Sequence, residues 1–296
     1  MHSNSCLQSD VIKKPMTGIR LLQFMLAVIL LCGLVSAAYA APTTSLHVVK
    51  YAADGITVLN ETTVDYHWLE ANLPVQGDGK THYYHQGPVF VDDKEGQWDA
   101  NETTNFKDEG AVKGTAVKDL CNLVGGMKPG DEVMIKAPDG YHVEFGYDNV
   151  YNPLSRQGPI VVCWYNGEET TVGEQQGTGY PPGYFAGMRL VFFADTGTNP
   201  EGKHVFGNND MRVVMPPATI HLFDDLYPST SGYTVKWVDE VRVYTGGYNG
   251  TGGALAKSLE DKTAIPSPTT PKSSLTPAAC IGGIVTIVLL TRRRLL

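Results

Sequence analysis

Cysteine is scarce in this chain, five residues among 296, and the scarcity narrows the chemistry before any element is placed. Cys6, Cys32 and Cys280 fall in the two ends, leaving Cys121 and Cys163 for everything between. Neither has the spacing of a zinc site, and two cysteines make at most one bridge. An oxidising compartment permits a disulfide, while Cys121 on the apolar side of a helix and Cys163 inside an apolar strand read equally as two buried thiols. Basic residues are in deficit as well. Setting aside residues 1–40 and 278–296 removes Lys13, Lys14, Arg20, Arg292, Arg293, Arg294 and Asp10, so 17 basic residues face 30 acidic ones, a net of −13. Such a surface repels nucleic acid and anionic lipid, and nucleic-acid binding is set aside. The chain has no Gly-x-Ser-x-Gly, no His-Glu-x-x-His, no Walker loop, no paired-carboxylate pattern and no internal repeat, which removes the reactions those motifs carry.

What is present begins with the two ends. Lys13, Lys14 and Arg20 precede an apolar run at 21–35, and Ala38-Tyr39-Ala40 has the small-x-small form of a cleavage site, so residues 1–40 read as a secretory signal and the mature chain begins at Ala41. At the other end, Gly-rich sequence and then Ser/Thr/Pro sequence make a linker over 246–277. An apolar run at 278–290 and Arg292-Arg293-Arg294 follow it. The arginines place the terminus in the cytoplasm and the domain outside. Thirteen helical residues span roughly 20 Å against a hydrocarbon layer of about 30 Å, so flanking residues must help. The order and shortness of this tail resemble the sorted tails of archaeal surface proteins, which a membrane transpeptidase cuts and re-anchors. Leu275-Thr276-Pro277 stands where that family carries Pro-Gly-Phe, and a plain transmembrane anchor is the alternative.

Between the ends, residues 41–245 read as one α+β domain with a largely antiparallel sheet. Its nucleus is 115–145. Val117, Leu120, Cys121 and Val124 give a short helix one apolar side, Thr115 is placed to cap its start, and Gly125-Gly126 stop it. Val133, Ile135 and Ala137 alternate with polar neighbours, Asp139-Gly140 turn, and Tyr141, Val143 and Phe145 alternate again, which is a half-buried hairpin. Before it, 45–52 and 56–59 are β-prone. Thr62 and Asp65 have capping-box spacing ahead of a helix carrying Val64, Trp68, Leu69 and Leu73, which Pro74 follows. After the nucleus, 160–165 reads as a central strand ending at Asn166-Gly167, 190–194 as a second buried strand and 211–215 as a third, stopped by Pro216-Pro217. Val235, Trp237, Val241 and Val243 share one face of a long closing strand.

Polar chemistry concentrates at His82-Tyr83-Tyr84-His85, within a Gly-rich and aromatic segment. Two histidines three apart on one helical turn are candidate metal ligands, although no carboxylate sits at a familiar offset; the alternative is a structured segment whose aromatics lie on the sheet. Sequons mark Asn60, Asn101 and Asn249 as glycosylation candidates.

The succession of Gly-x-x-x-x-Asp-Leu (114–120), Asp139-Gly140-Tyr141, Asn166-Gly167-Glu168 after an apolar strand, a late buried strand and Lys236-Trp237-Val238 resembles the sulfite-oxidase-like molybdopterin-binding domain over about 46–245. The resemblance implies a compact mixed fold, a pyranopterin as cofactor in the members that carry one, Lys236 as a contact to the pterin phosphate and Trp237 as its packing neighbour. Catalytic members ligate molybdenum through a cysteine between the first helix and the Gly-x-x-x-x-Asp-Leu helix, and here 75–111 contains none. The signal also lacks the twin arginines that accompany folded, cofactor-loaded export. The expectation is a non-catalytic, membrane-anchored surface protein that binds a ligand or partner through 76–91 and 177–187. The alternatives are an extracytoplasmic oxidoreductase whose redox group His82 or His85 holds, and a structural component of the cell envelope.

Overall fold

The structure, a computed structural model, describes residues 42–248. The signal, most of the linker, the tail and the Asn249 sequon lie outside the described residues. Among those described, no helix is long and apolar enough to cross a membrane.

The strands, in chain order, are β1 (Ser45–Tyr51), β2 (Val58–Asp65), β3 (Val75–Gln76), β4 (Tyr83–Gln86), β5 (Phe106–Asp108), β6 (Val112–Ala116), β7 (Glu132–Lys136), β8 (His142–Gly146), β9 (Ile160–Asn166), β10 (Arg189–Phe192), β11 (His204–Phe206), β12 (Leu222–Phe223), β13 (Tyr227–Pro228) and β14 (Glu240–Tyr244). Four short helices join them: α1 (Tyr66–Asn72), α2 (Val117–Asn122), α3 (Tyr147–Tyr151) and α4 (Asn208–Val214). One sheet runs β2-β1-β14-β7-β8, a second β10-β9-β6-β3, and a third β11-β4-β5. Among the described residues only β1 with β14 and β4 with β11 pair in parallel; the other ladders are antiparallel. The domain is therefore α+β with mostly antiparallel sheets.

The main core joins the first two sheets. Leu46, Val48, Val133, Ile135, Val241 and Val243 meet Ile160, Val162, Trp164, Leu190 and Phe192, with Leu69 and Leu120 from the helices filling between. The intervening residues of the second sheet, Val161, Cys163 and Val191, turn to the opposite face and build a smaller cluster with Tyr184 and Phe193. Strand β9 is thus covered on both faces, which is why it reads as an unbroken apolar run rather than an alternating one. The expected hairpin of the nucleus is formed, with Val133 opposite Phe145 and Ile135 opposite Val143.

Several local expectations are corrected. Strand β2 continues through Thr62 to Asp65, so no capping box forms; Asp65 itself caps α1, its carboxylate accepting from the Trp68 backbone N–H at 2.8 Å. Asp65→Ala is expected to cost about 1 kcal/mol in urea unfolding. Thr115 does not cap α2, because it is still in β6 and its hydroxyl accepts from Trp164 Nε1 at 3.0 Å, leaving Ala116 at the cap. The stop is as expected: Gly125 (φ 99°) and Gly126 (φ 70°) take the left-handed conformation that ends the helix.

The stretch 211–215 is helical rather than extended, forming the end of α4 and its cap. Met211 and Met215, four apart, are buried while Val213 is exposed, and a strand would have put all three on one face. The long closing strand is cut to β14 by Trp237, whose φ of 56° no strand accommodates. Cys121 and Cys163 are both free and buried, so no disulfide joins them.

Candidate functional site

The site is assembled by two short ladders. Strand β5 pairs with β4, Tyr84 facing Asp108 and His85 facing Lys107. The Glu109 N–H donates to the Tyr83 carbonyl at 2.8 Å, which carries the pairing one residue further and fixes Glu109 beside it. The Asp108 carboxylate is fully committed to structure: it meets His82 Nδ1 at 2.9 Å, Gly110 N–H at 2.8 Å, and both the N–H (2.7 Å) and the hydroxyl (2.6 Å) of Thr171. These bonds pull the loop after β9 over the strand ends. Glu169 then braces that loop from inside, accepting from the N–H groups of Thr170, Gln176 and Gly177, which hold its carboxyl below the usual range despite some burial.

On the other side, β10 pairs with β9, placing Arg189 opposite Cys163. Arg189 Nη2 reaches Glu109 Oε2 at 2.6 Å, and it also donates to the Thr234 hydroxyl at 3.0 Å. Both charges are buried. Burial raises the pKa of Glu109, and Arg189 is the chief influence pulling it back. His85 lies behind the pair. Its Nε2 accepts from the Phe192 N–H at 3.1 Å, so Nδ1 carries the ring proton, 4.0 Å from Glu109 Oε1. Burial, with Arg189 adding to it, holds the His85 pKa well below its ordinary value and keeps the ring neutral.

Above this pair opens a cavity of about 510 Å³, lined among others by Lys107, Glu109, Gln176, Arg189, Thr234 and Lys236. Its mouth is bridged by Lys236 Nζ and Glu174 Oε2, 2.5 Å apart, and the lysine keeps Glu174 ionised to lower pH than usual. Four buried polar atoms on lining residues make no hydrogen bond: Arg189 Nε, Gln176 Oε1 and both Glu109 oxygens, of which Oε2 is held in the ion pair with Arg189. Native interiors leave few such groups unpaired, and those that remain mark places where a ligand or water completes the bonding.

No family model matches this chain, and neither does any curated protein. The cleft must be interpreted from its own chemistry.

Of the residues singled out in the sequence, Lys236 lies on the cavity wall. Trp237 does not pack beside it as a core residue; it is half-buried, and its indole N–H donates to the Phe185 carbonyl at 2.8 Å. His82 and His85 are not brought together as a metal pair. The segment is strand β4 rather than a helical turn, so residues three apart face opposite ways: His82 stacks near Tyr84 and bonds Asp108, whereas His85 packs against Phe192 and Phe206. Among the described residues, no group of three or more His, Cys, Asp or Glu side chains is placed to hold a metal ion. Asn60 and Asn101 are both exposed, as a glycosylated asparagine requires. In the aromatic loop, Tyr180 is committed to packing on Tyr66 and Trp164 and to Glu70, and Tyr184 is buried.

The molybdopterin implied by the family resemblance does not fit these residues. Molybdenum ligation needs an accessible thiolate, but Cys163, the cysteine nearest the cleft, is fully buried beneath Arg189 and its pKa is pushed far up by burial. A pterin phosphate would meet Lys236 already neutralised by Glu174 and Arg189 already neutralised by Glu109.

Glu109, Arg189 and Gln176 were not singled out in the sequence. The one available signal was Arg189 itself, a charge leading directly into the buried run Leu-Val-Phe-Phe, where an unpaired guanidinium is untenable and a buried acid must be sought elsewhere in the chain.

Proposed function

We propose that this is an exported, membrane-anchored surface protein that binds a small ligand in the cleft above Glu109 and Arg189 and performs no redox chemistry there. The reading is carried by the unpartnered polar atoms, Arg189 Nε and Gln176 Oε1 among them, on buried side chains that line one cavity. A purely structural ion pair is ordinarily enclosed and saturated; this one has a donor and an acceptor left over beside open volume. The scaffold is proposed to be a relative of the sulfite-oxidase-like domain that lacks the metal thiolate, with the signal at 1–40 and the tail at 278–296 giving its address. The burial of both thiols supports the non-catalytic half of the proposal. The test is elemental and pterin analysis of the full-length protein purified from its native membrane. Neither molybdenum nor oxidised pterin is expected at stoichiometric level, and finding both would overturn the reading.

A further inference from the structure

Resting on that reading, we infer that the ligand is a small, uncharged, polyhydroxylated molecule of about monosaccharide size. The first ground is charge. The cavity lining carries Lys107, Arg189 and Lys236 against Asp108, Glu109 and Glu174, three of each sign. Two opposed pairs are closed, Arg189 with Glu109 at 2.6 Å and Lys236 with Glu174 at 2.5 Å, and Asp108 is consumed by His82 and Thr171. A phosphate or carboxylate would have to break one of these pairs or rely on Lys107, whose ammonium already donates to Asn105 Oδ1 at 2.8 Å. An amine would meet the converse difficulty. A neutral ligand disturbs none of them.

The second ground is the pattern of open valences. Arg189 Nε offers an N–H, and Gln176 Oε1 and Glu109 Oε1 offer lone pairs; each is buried and each lacks a hydrogen-bond partner. The remainder of the glutamine is fixed, since Nε2 donates to the Asp108 carbonyl at 3.0 Å, so Oε1 cannot be exchanged for a donor by flipping the amide without losing that bond. Likewise the guanidinium is held by Glu109 and by the Thr234 hydroxyl. A donor and an acceptor locked in one cavity are matched by groups that accept and donate at once, and vicinal hydroxyls do this without bringing charge. The volume of about 510 Å³ lies within the range that holds small ligands. Entry is over the Lys236–Glu174 bridge, whose acid is well exposed and whose opening breaks only a surface ion pair.

The experiment uses the full-length protein and four probes: glucose, myo-inositol, inorganic phosphate and glycine. Hydrogen exchange is followed in peptides covering 173–176 and 231–236, with the 132–146 hairpin as an internal reference for general stabilisation by sugars. The expected result is slowed exchange in the first two regions, relative to the hairpin, with glucose or myo-inositol alone. Arg189→Lys, which keeps the charge facing Glu109 and removes Nε–H, is expected to weaken that protection at least tenfold, and Gln176→Ala to do the same from the acceptor side. Protection by phosphate or glycine with the polyols inert would overturn the ligand class and leave the binding reading standing. No protection by any probe, together with no small molecule released from the natively purified protein, would overturn both.

Discussion

Arg189→Met is expected to lower the unfolding free energy by about 3–5 kcal/mol, because it leaves Glu109 as an uncompensated buried charge. The pair is buried, and Arg189 is the chief influence opposing the desolvation of Glu109. Restoring neutrality should restore stability: the double variant Arg189→Met with Glu109→Leu is expected to recover most of the loss, since two apolar side chains need no partner. Urea unfolding followed by tryptophan emission measures both. A loss below about 1 kcal/mol in the single variant would mean that Glu109 is not held as a buried anion. The single variant should also be less impaired at pH 5 than at pH 8, because losing Arg189 removes the chief influence opposing the burial-raised pKa of Glu109, and a protonated carboxyl tolerates burial.

The second large effect is a fall in stability as pH rises from about 5 to 8. Glu102 and Asp210 are buried together, with the Asp210 N–H donating to Glu102 Oε1 at 2.9 Å. Burial, reinforced by Asp210, pushes Glu102 up to about 8. Burial pushes Asp210 up to about 6, with Arg156 at 2.5 Å opposing and Asp195 assisting. In the unfolded chain a glutamate titrates near 4.5. Between that value and about 8 the folded protein holds a proton that the unfolded chain has released, so this stabilisation is complete at low pH and is lost as pH climbs through the folded pKa. The change is on the order of 3 kcal/mol. Thermal unfolding midpoints across this range should fall with pH, and Glu102→Gln, neutral at every pH, should flatten the profile. A midpoint that rises over the same range in the unsubstituted protein would refute the raised pKa of this buried carboxyl pair.

How much of this was legible from residues alone depended on distance along the chain. The 132–146 hairpin shows in the sequence because its alternation and its Asp-Gly turn are local, and the same holds for β9, whose two covered faces leave an unbroken apolar run. Residues 211–215 mislead because Arg-Val-Val between two methionines is equally compatible with a strand; the deciding fact is that Val213 faces solvent, and only the neighbouring elements determine that. Trp237 misleads for a different reason, a left-handed backbone at a residue type that rarely adopts one. The cleft was out of reach because its two charges stand 80 positions apart. Arg189 is placed by pairing with β9 and Glu109 by pairing with β4, and no local pattern links the two ladders. The histidine cluster drew attention as chemistry, but its histidines support structure, one bracing Asp108 and the other accepting from the backbone of β10.

The order β2-β1-β14-β7-β8 sets when the domain can form as the ribosome delivers it. Its middle strand, β14, is the last of the described strands to be made. Until Tyr244 has emerged, β1 with β2 and β7 with β8 are two separate hairpins, each showing a bare edge where β14 will insert, parallel to β1 and antiparallel to β7. This sheet cannot close before β14 arrives, and the β1–β14 pairing joins the two ends of the domain. The five-stranded sheet is therefore completed late, and its β1–β14 ladder joins residues far apart in sequence. A truncation just before Glu240 therefore removes the centre of the main sheet, and no folded remnant with an intact five-stranded sheet can survive it.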